Sequence, residues 1–229
     1  MFRRRASGEL PPPGSVRFGD LRRLRPLSDR FGFDRGKPID RYYIEDFLGR
    51  HGGDIRGRVL EVGDASYTSR FGEGVTRSEV IDRDESNPHA TIVGDLARAD
   101  EVGSGSFDCV ICTQVLLLIF DVRAAIKTLE RILRPGGVLL VTVPGITKVS
   151  RGEAERWGDY WRFTAQSAGR LFGEVFPPRE VRVEAHGNVL AAVAFLYGLA
   201  AEELSPQELD SHDPDFEVTV AVRAAKAAA

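Results

Sequence analysis

The stretch Arg58-Val-Leu-Glu-Val-Gly-Asp-Ala-Ser-Tyr-Thr-Ser-Arg-Phe-Gly72 decides how the rest of the chain is read. Val59, Leu60 and Val62 form a short aliphatic run of the kind that makes a buried strand. Glu61 stands near the end of that run and Gly63 just past it. A glycine there lets a ligand approach the backbone closely, because no Cβ is in the way. A carboxylate beside such an opening accepts hydrogen bonds from a ribose or stabilises a cation. Open α/β sheets bind ligands outside the carboxyl ends of their strands, where this turn belongs. A lone Glu-Val-Gly is also what an ordinary strand-to-helix turn looks like, so the surrounding elements have to decide between the two.

Upstream, Pro38 suits a first helical turn, and Ile39, Tyr42, Tyr43, Asp46 and Phe47 make a helical stripe that ends near Gly52-Gly53. Downstream, Ser78-Glu-Val-Ile-Asp82 reads as a second strand ending in an acid. Asp82 lies 19 positions after Gly63, the spacing at which nucleotide-binding α/β folds place a ribose-binding acid. Ala90-Thr-Ile-Val93 reads as a third strand closed by Gly94-Asp95-Leu96, where Asp95 serves either a ligand or a helix N-terminus. Phe107-Asp-Cys-Val-Ile-Cys-Thr113 is continuous enough in apolar character for a central strand covered on both faces. Asp121 then caps a helix with Val122, Ala125, Ile126, Leu129, Ile132 and Leu133 on one stripe, stopped by Arg134-Pro-Gly-Gly137. Val138 to Val143 is a fifth strand. Strand and helix alternating at this spacing predict a doubly wound, mostly parallel sheet.

Composition narrows the function classes. The 229 residues are 42% hydrophobic and 28% charged with a net charge of −3, which suits one globular α/β domain and gives no general case for nucleic acid or an anionic membrane as partner. Residues 1–35 differ: nine arginines against four acids give a local +5, so the remainder carries −8. This segment is read as an extension over residues 1–37, mobile and solvated over residues 1–15, or else a lid for an anionic substrate. Its apolar residues from Val16 to Phe33 are expected to pack on the domain. Cys109 and Cys112 have redox or zinc half-site spacing. On a strand, however, residues three apart point to opposite faces, so two core thiols in a reducing cytoplasm are expected. Met1-Phe-Arg-Arg-Arg5 runs into Pro11-Pro-Pro13 with no apolar core of a signal peptide.

Leu60-Glu-Val-Gly63, Asp82, Gly94-Asp95-Leu96, Ser106-Phe-Asp-Cys-Val-Ile-Cys112 and Leu129-Glu-Arg-Ile-Leu-Arg-Pro-Gly-Gly137 together resemble the class I S-adenosylmethionine-dependent methyltransferases. The resemblance covers residues 54–145, the expected cofactor-binding core. It implies a Rossmann-like, seven-stranded sheet closed by a C-terminal antiparallel hairpin, with residues 146–229 on the acceptor side. It implies that Glu61 and Gly63 flank the methionine moiety, that Asp82 holds the ribose, that Asp95 and Leu96 contact the adenine, and that Thr113 and Gln114 line cofactor and acceptor. The family turn carries two further glycines, replaced here by Ala65 and Tyr67. Asp64 is then a candidate for a cofactor cation, and Tyr67 with Thr68 for hydroxyl contacts.

Beyond the core, Arg156-Trp-Gly-Asp-Tyr-Trp-Arg-Phe-Thr164 offers Trp157, Tyr160, Trp161 and Arg162 for stacking and polar contacts with a sugar ring or flat acceptor. The same residues also suit a hydrophobic plug, with Thr164 capping the next helix. The segment is similar to one in methyltransferases linked to saccharide or natural-product assembly. Val189 to Ala201 is apolar without interruption and, too short for a bilayer, reads as a buried helix or a homodimer face. His186 and Asp159 are the candidate general bases, with His212 behind them. The expected activity is S-adenosylmethionine-dependent methylation of a small-molecule or saccharide acceptor at oxygen. The alternatives are a repurposed, non-catalytic member of the fold and, less favoured, a nucleic-acid methyltransferase. A nicotinamide dehydrogenase is disfavoured, since no Gly-x-Gly-x-x-Gly follows the first strand.

Overall fold

A computed structural model describes residues 11–228. The aliphatic run after Arg58 forms the inner strand β1 (Gly57–Val62), with Val59 and Leu60 fully buried on opposite faces. Around it lie β2 (Val75–Asp82), β3 (Ile92–Val93), β4 (Phe107–Thr113), β5 (Leu133–Pro144), β6 (Val181–His186) and β7 (Thr219–Ala225). The sheet order is β3-β2-β1-β4-β5-β7-β6. The pairs β3–β2, β2–β1, β1–β4 and β4–β5 are parallel, and β7 runs antiparallel to both β5 and β6. This is the seven-stranded arrangement that the family resemblance implies. The strand order reverses between β1 and β4, and ligands of open α/β sheets bind at the carboxyl ends flanking such a switch point.

Helices cover both faces. On one, α1 (Ile39–Arg50) packs Ile44, Phe47 and Leu48 against Val59, Cys109, Ile111 and Leu140. On the other, α3 (Val122–Ile132) and α5 (Ala165–Gly173) bury Ile126, Leu129 and Phe172 against Leu60, Val110 and Leu139. Cys109 and Cys112 fall in these two different clusters, as the alternation of a strand requires. Burial pushes both thiols up, Cys112 to about 12, so neither is a thiolate near neutral pH. Short helices α2 (Ser66–Phe71), α4 (Arg151–Arg156) and α7 (Pro206–Asp210) lie in the connections, with α6 (Val189–Leu196) beside α1.

The Asp121 carboxylate accepts from Ala124 N at 3.0 Å and Thr164 and Ser167 cap α5 reciprocally, as the residue types predict. Asp121→Ala is therefore expected to cost about 1 kcal/mol of stability, measured by denaturant unfolding; an unchanged midpoint would contradict the cap. The apolar run from Val189 ends sooner than expected, because Gly198 turns with φ 71° and α6 stops at Leu196. Its Ala191, Ala192, Ala194 and Phe195 are buried, while Val189, Leu190, Val193 and Leu196 are exposed.

The N-terminal segment divides. Leu27 and Ser28 donate their amides to Tyr197 O, and Phe31 packs on Phe195, whereas Val16, Phe18, Leu24 and Phe33, expected to pack, are exposed. Arg3, Arg4, Arg5 and Glu9 lie outside the described residues. Among the described residues no helix is long and apolar enough to cross a membrane.

Candidate functional site

Two cavities meet at the tip of β1. The smaller, about 190 Å3, is lined by Val62, Gly63, Asp82, Arg83, Leu96, Ile119 and Trp157. The larger, about 600 Å3, takes in Phe33, Arg41, Glu61, Val62, Asp64, Tyr67 and Thr113. Together they match the roughly 300–1,000 Å3 of small-molecule sites. The smaller sits at the carboxyl ends of β1 and β2 and the larger at those of β1 and β4, beside the switch point.

Gly63 has φ 91°, a left-handed conformation, and a Cβ built on it meets nothing within 4 Å. Only glycine takes this backbone cheaply, and the open space lies on the cavity side. The two replaced glycines are not needed for backbone reasons. Ala65 has φ −113° and ψ 23°, and Tyr67 lies inside α2. Glu61, 2% exposed, accepts from Tyr67 N at 3.1 Å and Thr68 N at 2.7 Å, fastening the first turn of α2 to the tip of β1. Burial pushes its carboxyl above the usual range against the pull of those amides. Tyr67 forms a cavity wall instead of filling it: its ring stacks on Phe71 at 6.2 Å and its hydroxyl accepts from Arg41 at 3.2 Å.

Asp82 faces the smaller cavity. Its Oδ2 accepts from Asn87 Nδ2 at 2.6 Å, and the same amide group reaches the Gly63 carbonyl at 2.7 Å. Asp82 Oδ1 accepts from Asp84 N at 2.9 Å. The strand-end acid is thus fixed in orientation, with a lone pair left on each oxygen. Leu96 and Gly94 line the same cavity; Asp95 does not, since it caps Ala97 N at 2.9 Å and pairs with Arg83 at 3.6 Å. Thr113 lines the larger cavity. Gln114 has φ 55° and a buried Nε2 without a hydrogen-bond partner, although it lines neither cavity.

The segment expected to meet the acceptor splits up. Trp157 lies beside Asp82 in the smaller cavity, with the Arg83 and Arg156 guanidiniums 5.1 and 4.7 Å from its ring. Tyr160 and Trp161 are outside both cavities, against exposed Phe120 at 5.4 and 6.0 Å. Trp161 Nε1 donates to Ile119 O at 3.0 Å. Arg162 is a clamp: it holds both oxygens of Asp159 and the carbonyls of Lys148 at 3.0 Å and Trp161 at 2.8 Å. The structure sets these three residues apart from the cavities.

Both candidate bases are also misplaced for that work. The Asp159 side chain, 1% exposed, is consumed by Arg162 and Ser150 N; despite burial, these partners hold its carboxyl below the usual range. His186 ends β6, three strands from β4, or ~14 Å at the usual strand spacing. Its ring stacks on Tyr43 at 5.5 Å, and burial lowers its pKa. His212 is exposed in the loop before β7.

Arg41 and Asp40 carried no sequence signal beyond their place in a helix. At ~1.5 Å per residue α1 spans about the length of β1, so its first turn returns to the carboxyl edge. Arg41 faces the larger cavity, bonded to Tyr67 and 6.0 Å from the Phe33 ring, with no ion pair among the described residues. Asp40 shares the sheet-facing side of α1 with Ile44 and Phe47. Its Oδ1 is buried without a hydrogen-bond partner, and burial pushes its carboxyl up. Thr113, which ends β4, pairs in register with Thr142 of β5 on that same sheet face, and Thr142 Oγ1 is likewise unpartnered. Among the described residues no cluster of three or more His, Cys, Asp or Glu could hold a metal.

No curated protein matches the chain in sequence. Among solved structures, the chain resembles a putative methyltransferase of Haloferax volcanii, solved with the Trm112 methyltransferase activator (TM-score 0.56, 15% identity, 87% of this chain and 94% of that one). It also resembles the [4+2]-cyclase SpnF (0.55, 15%, 90% and 89%). A third likeness is to the N-methyltransferase NodS of Bradyrhizobium japonicum, in complex with S-adenosylhomocysteine (0.55, 17%, 87% and 93%). These identities establish the fold. Residues 22–188 match the family model described as a methyltransferase domain, well over half of the chain. The chain therefore belongs to the methyltransferase domain family and has the fold of the class I S-adenosylmethionine-dependent methyltransferases.

Proposed function

We propose that the protein transfers a methyl group from S-adenosylmethionine to an oxygen of a small-molecule or saccharide acceptor. The observation that carries this reading is the pair of cavities that share Val62, one largely apolar with a fixed acid, the other lined by Arg41, Glu61 and Thr113. When bound, S-adenosylmethionine supplies a methyl group on a sulfonium. Asp82 accepts from the ribose hydroxyls, Leu96 and Trp157 sandwich the flat base, and Arg41 meets the carboxylate of the amino-acid end. The family and the fold support that donor, and NodS, of the same fold, is a complex with the demethylated form.

Methyl transfer needs the nucleophile held in line, which by itself supplies ~7–11 kcal/mol of barrier lowering. An oxygen nucleophile must also shed a proton. That step falls to Asp40, next in α1 to the cavity-lining Arg41 and with one buried, uncommitted oxygen, in place of Asp159 or His186. Thr113, which lines the same cavity, orients the acceptor hydroxyl, with Thr142 its register partner on β5. Two buried, unpaired thiols accord with a cytoplasmic setting.

Calorimetry with S-adenosylhomocysteine tests the donor. Micromolar binding supports the reading, and a folded protein that ignores the ligand would point to a repurposed scaffold; a [4+2]-cyclase, SpnF, is among the structures of similar fold. Arg41→Gln should weaken that binding about tenfold through loss of a charged hydrogen bond; wild-type affinity would place Arg41 elsewhere in the reaction.

A further inference from the structure

A third depression adjoins the site. Residues 25–34 and 148–152 face one another across a cleft of about 1,140 Å3, and Phe33 belongs both to it and to the polar cavity. Arg25 and Arg30 line one wall, Lys148 and Arg151 the other. Several arginines elsewhere meet carboxylates, as in Arg50–Glu184, Arg58–Glu79 and Arg223–Asp54. These four cations have no ion pair among the described residues. Of the two acids in the cleft, Asp34 is tied to the Ser28 hydroxyl, which with Arg30 and Arg35 nearby holds its carboxyl low. Asp29 is left to offset Lys148. The cleft is cationic in a chain whose net charge is −3.

Both walls are fixed. Tyr197 accepts the amides of Leu27 and Ser28, and its hydroxyl donates to Leu21 O at 2.6 Å. Ser28 Oγ accepts from Arg30 N at 3.1 Å and Gly32 N at 3.2 Å. Gly32 has φ 92°, and a Cβ there would lie 2.9 Å from Leu199 O. Phe31 is held at φ 59°, unusual for a bulky side chain, with the half-buried Lys148 ammonium 3.8 Å above its ring. Opposite, the Arg162 clamp fixes the Lys148 carbonyl. Cations carried on two walls whose backbones are held suit an anion with several oxygens, which a single carboxylate would not span.

We propose that this cleft is an anion site that holds a phosphate or diphosphate group of the small-molecule acceptor, whose other end passes Phe33 into the polar cavity. The proposal rests on the methyl-transfer reading above and narrows its substrate class.

The test uses inorganic pyrophosphate as the probe, in calorimetry on the full chain at low salt, where such contacts are least screened. Pyrophosphate is expected to bind. Lys148→Met with Arg151→Gln, and separately Arg25→Gln with Arg30→Gln, should each weaken it at least about tenfold, while S-adenosylhomocysteine keeps its wild-type affinity. No binding by the wild type, or equal binding by both double variants, would overturn the proposal. So would a pair that loses both ligands together, because the site would not be separate from the cofactor cavities. A single-stranded oligonucleotide that binds and resists displacement by pyrophosphate would overturn the small-molecule assignment. Pyrophosphate binding by a chain that ignores S-adenosylhomocysteine would sink the donor assignment and leave the anion site standing.

Discussion

Asp40→Asn is expected to slow methyl transfer about a hundredfold, the usual contribution of a positioned proton acceptor, while S-adenosylhomocysteine binds as before. Burial pushes the Asp40 carboxyl above its ordinary range, so it holds its proton to a higher pH than an exposed aspartate does. The rate should therefore rise with pH along a limb displaced above that range, and the limb should vanish in the variant. The sign on stability is opposite. A carboxyl whose folded-state pKa is raised binds its proton more tightly in the folded chain, so its contribution is complete below the unfolded value of 3.8 and lost as pH rises through the folded value. At neutral pH the variant sheds the cost of a buried charge and should unfold no more easily than the wild type. A slower yet equally stable protein separates a proton acceptor from a structural prop; a variant with wild-type rate would remove Asp40 from the reaction.

Asp82→Ala should weaken S-adenosylhomocysteine binding about tenfold to a hundredfold, since hydrogen bonds to a charged acceptor contribute roughly 1.5–3 kcal/mol. The Asn87 amide that now spans Asp82 Oδ2 and the Gly63 carbonyl loses one anchor in that variant. Asn87→Ala is the control, because it loosens the orientation of Asp82 without removing its charge. The expected order of affinities is wild type, Asn87→Ala, Asp82→Ala. Unchanged affinity in Asp82→Ala would refute its role.

The fold was legible because its signals are local. The aliphatic run at Val59, the acid ending β2, the apolar run of β4 and the Asp121 cap each state an element in a few adjacent residues, and the parallel order follows from their alternation. The cofactor side was partly legible for the same reason, since Gly63, Asp82 and Leu96 each sit at or just past a strand end. Asp95 follows a strand as Asp82 does, yet turns to the backbone of its own turn and to Arg83. Spacing gives a residue's position along the chain and leaves its direction open.

The acceptor side depends on contacts between distant segments. Asp159 and Arg162 stand in the expected aromatic segment, but they satisfy each other and pin the loop. Trp157, three positions from Tyr160, turns towards the opposite cavity. Arg41 and Asp40 look like any polar residues of a first helical turn. Only the return of α1 across β1 brings them to the carboxyl edge, and that depends on the lengths of both elements.

The central claim is that the adenosyl group lies between Asp82, Leu96 and Trp157 while the methyl end opens towards Arg41, Thr113 and Asp40. A crystal structure with S-adenosylhomocysteine bound measures this most directly. The expected complex has ribose hydroxyls on the Asp82 carboxylate, the base between Leu96 and Trp157, and the sulfur in the cavity that contains Thr113. A ligand seated outside these two cavities, or one whose ribose leaves Asp82 untouched, would contradict it.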